Sequence, residues 1–115
     1  MSSKHEAQRL ADSVDNINAI QSYVGTMGYT QFAGNRLVVD ATERCLERII
    51  EAVIKIGPTR AQSLFPNQPI AAIRALGNRL RHEYDLIDVR LIYSTVVDEL
   101  PELRVACCAE LNSLQ

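Results

Sequence analysis

Between Arg74 and Asp85 the chain reads RALGNRLRHEYD, placing Arg74, Asn78, Arg79, Arg81, His82 and Tyr84 within twelve residues. The only other histidine is His5, near the N-terminus, where a solvated surface role suffices. An imidazole with a pKa of ~6.5 can take or give a proton at neutral pH. The planar guanidinium matches the charge and shape of phosphate oxygens. A histidine among arginines therefore suits phosphoryl-transfer chemistry without a metal, with Asn78 orienting the imidazole or binding phosphate. The alternative is a polar cluster that serves only to satisfy an interface.

These residues need a helix to bring them together. Asn78 and Arg79 lie four and three positions before His82 and share its face. Arg74, eight positions before, is turned by about 80° but remains within reach of a long side chain. Gly77, inside the same helix, costs ~1 kcal/mol against alanine, which points to close approach of a second backbone or a ligand.

The remaining elements follow from a 3.6-residue apolar period that recurs along the chain. Ala7, Leu10, Ala11, Val14, Ile17, Ala19, Ile20 and Val24 predict a first helix over about 4–24, stopped by Gly25. Residues 26–34 read as a turn-rich connection in which Tyr29 and Phe32 plug the core. A longer stripe runs from Val38 through Cys45, Leu46, Ile49 and Val53 to Ile56, ended by Gly57-Pro58. A short helical turn over about 59–65 precedes Pro66, and Pro69 suits the first position of the next helix. That helix is predicted to run to about residue 84. Residues 85–88 form a turn, with Asp88 as N-cap of a helix from Val89 whose Val89, Ile92, Val96 and Leu100 face inward. Pro101 either kinks that helix or opens a last one. The expectation is a single domain over 1–115, an all-α bundle of about five helices.

Composition narrows the functional classes. Forty-seven per cent of the 115 residues are hydrophobic and 23% charged, enough apolar material for a core. No apolar run approaches the ~20 residues of a membrane span, and no signal-peptide pattern opens the chain. Three cysteines, Cys45, Cys107 and Cys108, give neither a disulfide framework nor a C-x-x-C metal pair. A reducing cytoplasm, with no cofactor and no metal, is the expectation. The net charge of −2 conceals a segment, 58–82, that holds Arg60, Arg74, Arg79 and Arg81 and contains no Asp or Glu. Such a chain is not a bulk nucleic-acid coater, but it can present one anion site.

The His82-Glu83-Tyr84 triplet after Asn78-Arg79-Leu80, with Asp85-x-x-Asp88 behind it, resembles the signature of the HepT-like toxins of the HEPN superfamily. The resemblance extends over nearly the whole chain. It includes Ile17–Val24, Tyr29 and Phe32, and Asp40-Ala41 with Glu43-Arg44, Leu46, Ile49 and Glu51-Ala52. Leu64-Phe65-Pro66 and Leu100-Pro101-Glu102-Leu103 continue it. It implies an all-α, HEPN-like homodimer paired with a minimal nucleotidyltransferase antitoxin of the MntA type. It also implies metal-independent cleavage of RNA, with His82 as acid/base and Asn78 and Arg81 binding substrate. Tyr84 would be the tyrosine onto which the antitoxin transfers AMP. The family motif is an arginine, four to six intervening residues, a histidine, any residue and a tyrosine. Here Gly77 precedes Asn78, seven residues separate Arg74 from His82, and only two separate Arg79 from it. Either arginine could take the phosphate-clamping role. The alternative is a degenerate HEPN bundle that binds a nucleotidyltransferase or nucleotide without cleaving RNA.

Overall fold

The computed structural model describes residues 3–68, 70–82 and 88–114, with side chains at all of these except 3, 4, 81 and 82. The described residues contain helices and no strand, as the apolar period requires.

Helix α1 spans Ser3–Val24 and packs along α3, Arg36–Ile56, to form the broadest contact of the fold. Leu10, Ile17 and Ile20 from α1 meet Leu46, Ile49 and Val53 from α3, all essentially inaccessible to solvent. Gly25 ends α1 at φ +54, where a side chain would be strained, and its N–H reaches back to the Gln21 carbonyl at 2.9 Å. The connection expected over 26–34 is in part a helix: Tyr29–Ala33 forms the short α2. Tertiary burial of Phe32 overrides the turn-rich composition there. Asn35 then caps α3 by accepting a hydrogen bond from the Val38 N–H.

Gly57, at φ +100, separates α3 from α4 (Pro58–Leu64), with Pro58 at the first helical position. Arg60 on α4 binds Glu6 of α1 through Nε and Nη2, at 2.6 and 3.1 Å, and Glu110 of the last helix at 3.1 Å. Helix α5 spans Ile70–His82; Pro69, expected at its start, lies outside the described residues, as do positions 83–87. The expected helix end, near residue 84, therefore lies outside the described residues.

Asp88 caps α6 (Val89–Ser94), accepting from the N–H groups of Arg90 and Leu91 at 2.9 and 3.3 Å. Pro101 does not break this rod. Proline offers no N–H to the carbonyl four residues earlier, and the chain responds with a π-helical stretch over Thr95–Glu99. There the Leu100 N–H reaches the Thr95 carbonyl, five residues back. Helix α7 then runs Leu100–Ser113. The expected inward stripe holds: Ile92, Val96 and Leu100 are buried, and Val89 packs partly against the core. With α6 and α7 taken as one rod, six helices make the bundle.

Candidate functional site

Helix α5 presents three different faces. Ile70, Gly77 and Leu80 are buried, and Ile73 packs partly against the core, so this stripe meets α3. A second stripe, Ala72, Ala75, Leu76 and Arg79, lines an open slot of about 360 Å³. Its far wall comes from Leu91, Thr95 and Glu99 on the α6 rod, and its floor from α3 side chains including Ile49 and Val53. The third face carries Arg74 and Asn78, both exposed and one turn apart.

His82, the last described residue of α5, follows Asn78 by four positions on the same helix. Arg79 is exposed yet lines the slot together with Glu99, so opposite charges border one opening. Arg74, Asn78 and Arg79 thus lie on neighbouring exposed faces of α5. Arg81 is the penultimate residue of α5, while Tyr84 lies outside the described residues. Among the described residues, no three His, Cys, Asp or Glu side chains come together as a metal-binding group. No helix described is long and apolar enough to cross a membrane.

Between α2 and α6 stands a group that the sequence did not advertise. The Arg90 guanidinium carbon lies 4.3 Å from the centroid of the Tyr29 ring. Tyr93 meets Tyr29 edge-on at 5.6 Å and Phe32 at 5.3 Å, and its hydroxyl donates to the Met27 carbonyl at 2.8 Å. Tyr29, expected as a core plug, is only half-buried, and it is Phe32 that fills the interior. The pairing joins α2 to α6, elements far apart in the chain, so no local pattern announced it.

The family described as "Ribonuclease HepT-like" matches residues 14–109. The chain is 30% identical over 95 residues to "Putative RNase MJ1216" of Methanocaldococcus jannaschii, covering 83% of this chain and 78% of that protein. It is 29% identical over 104 residues to "Putative RNase MJ1380" of the same organism, covering 90% and 94% respectively. It is 28% identical over 95 residues to "Probable ribonuclease HepT" of Thermococcus cleftensis, covering 83% and 86%. No solved structure matches.

Proposed function

The chain belongs to the ribonuclease HepT-like family, and from that premise we propose that it is a metal-independent endoribonuclease toxin acting at the C-terminal end of α5. The observation that carries the reading is that Arg74 and Asn78 are exposed one turn apart on α5, with Arg79 beside them and His82 four positions after Asn78 on the same helix.

In this reaction His82 accepts the proton of a ribose 2′-hydroxyl as that oxygen attacks the adjacent phosphorus. The P–O5′ bond breaks, a 2′,3′-cyclic phosphate forms, and the 5′-oxygen leaves with a proton. Arg74 or Arg79 stabilises charge on the phosphorane oxygens, while Asn78 and Arg81 hold the substrate phosphate. One chain offers a single histidine here, so a homodimer that brings two copies of His82 to one groove supplies both acid and base.

Control follows from the same cluster. A minimal nucleotidyltransferase antitoxin places AMP on Tyr84: the phenol oxygen attacks the α-phosphorus of ATP, and pyrophosphate leaves. The new phosphodiester adds bulk and negative charge beside Arg79 and Arg81, where the RNA phosphate must bind. Intact mass rising in steps of one AMP, lost in Tyr84→Phe, is the expected result with the cognate transferase, ATP and magnesium.

A second reading, a bundle that binds its partner without cutting RNA, is favoured by one observation. Position 77, where the family motif leads to an arginine, is a buried glycine facing α3. Purified protein tested on RNA in EDTA separates the two. Cleavage lost in His82→Ala, with the melting temperature unchanged, supports the nuclease. Absence of cleavage by the unaltered dimer supports the binder. Arg74→Ala and Arg79→Ala then identify the phosphate clamp.

A further inference from the structure

We propose that the Arg90–Tyr29 pair is a nucleobase-stacking step for single-stranded RNA, seating an unpaired base beside the cleavage ridge; this rests on the ribonuclease reading and adds the substrate's strandedness to it. Three observations support it.

The first is geometry. A guanidinium carbon 4.3 Å from a ring centroid puts a cation over the face of an aromatic ring. Arg90 is exposed and Tyr29 half-exposed, so the stack lies at the surface. Bases stack on both aryl rings and guanidinium planes, whatever their sequence, because every base has a π-face.

The second is rigidity. Tyr29 is held from behind by the edge of Tyr93, which is fixed by Phe32 and by its own hydrogen bond to Met27. The Arg90 backbone is pinned by the Asp88 cap at 2.9 Å. A platform fixed on both sides loses little freedom when a base lands on it.

The third is location and charge. Leu91, next to Arg90, lines the slot whose opposite wall holds Arg79, one turn before His82. The stack thus adjoins, along α6, a residue that shares this slot with Arg79. Asp88 is exposed close by in the chain, and its charge opposes a phosphate at this end of α6. Base stacking tolerates that charge better than phosphate binding does, so the site takes the base and leaves the phosphate to α5.

The test uses the full-length protein and a single-stranded RNA carrying one abasic nucleotide, walked across the cleavage position. Tyr29→Ala and Arg90→Ala are each expected to raise KM about tenfold with kcat little changed, and Tyr29→Phe to keep the unaltered KM. At one position the abasic nucleotide should raise KM for the unaltered protein by the same factor and cause no further loss in Tyr29→Ala. Unchanged KM in both alanine variants, or losses that add at every position, overturns the proposal. Arg90→Ala removes an exposed side chain and decides the matter if Tyr29→Ala does not fold. If the unaltered protein cuts no RNA, the ribonuclease reading fails separately. Binding of the same abasic series, followed by fluorescence anisotropy, then decides the stack. A Kd loss confined to one position supports it, and equal Kd values or no binding overturn it.

Discussion

The α1–α3 pair and the α5–α6 pair are built from similar residues and put them to different uses. Along α1 and α3, isoleucine, leucine and valine interdigitate until Leu10, Ile17, Ile20 and Val53 have no accessible surface. Between α5 and the α6 rod, Leu76, Ile73 and Leu91 line a slot of about 360 Å³ that stays open. The first pair uses its apolar residues for mutual burial. The second leaves a groove bordered by Arg79 and Glu99. Close packing and open surface therefore occupy different helix pairs of a small bundle.

The sharpest way to break this comparison is to truncate one aliphatic side chain in each half. Ile17→Ala removes a fully buried side chain from close packing, and a loss of about 2–5 kcal/mol is expected from transfer and cavity together. Leu76→Ala removes a half-exposed side chain beside an existing void, so about 1 kcal/mol or less is expected. Urea denaturation measures both, and equal losses would mean that the slot is as tightly structural as the α1–α3 seam.

The same contrast explains what could be read from sequence. Periodicity and caps located α1, α3, the α4 turn and the α6–α7 rod, because helix burial and capping are local rules: Gly25, Asn35 and Asp88 act on neighbours within four residues. That one helix carries Arg74, Asn78, Arg79 and His82 was legible for that reason. The short α2 was not, since its formation depends on burying Phe32 against distant elements. Nor was the outcome at Pro101, where the choice between a kink and a new helix was settled by a five-residue hydrogen bond. The slot and the Arg90–Tyr29 stack arise only when separate helices meet.

Polar contacts give a second, smaller contrast. Arg60 bridges Glu6 and Glu110, carboxylates 12% and 25% exposed, and so ties α4 to α1 and α7. Hydrogen bonding to Glu6 is the main cause holding the Arg60 pKa above its ordinary value, opposed by partial desolvation. Arg36 pairs with Asp40 at 3.5 Å with both side chains largely in solvent. Arg60→Ala leaves two partly buried carboxylates without their cation and should lower the melting temperature clearly, whereas Arg36→Ala should scarcely change it. Arg60→Lys should recover only part, because an ammonium cannot reproduce the fork that spans both carboxylates. Equal melting temperatures for the two alanine variants would remove this bridge from the account.

Thiol reactivity reports packing at the end of the α6–α7 rod. Burial, with Cys108 beside it, pushes the Cys107 thiol up to about 12, so it stays protonated and unreactive near neutrality. Cys45 is buried on α3, and Cys108 is half-exposed. One thiol should react quickly with a disulfide reagent in the native protein, and Cys108→Ser should remove that phase. The other two should react only as the chain opens. Fast reaction of Cys107 in Cys108→Ser would show that the end of α7 frays far more than its burial implies.

The smallest effect lies within the well-packed half itself. Burial first, then the charges of Glu47 and Asp40 on the same helix, raise the Glu43 pKa above its ordinary value of 4.5. The folded chain thus binds this proton more tightly than the unfolded chain does. Stability falls as pH rises through the interval between the two values, and at pH 7 the ionised carboxylate opposes folding. Glu43→Gln removes that charge while keeping the length of the side chain and nearly its helix propensity. A modest rise in melting temperature at pH 7 is expected, shrinking toward zero at about pH 3.5, where Glu43 is protonated in both states. A gain that persists in acid would assign the effect to packing instead. A loss at pH 7 would show that the Glu43 carboxylate has a partner stronger than the repulsion of Glu47 and Asp40, and that α3 gains rather than loses from its acidic face.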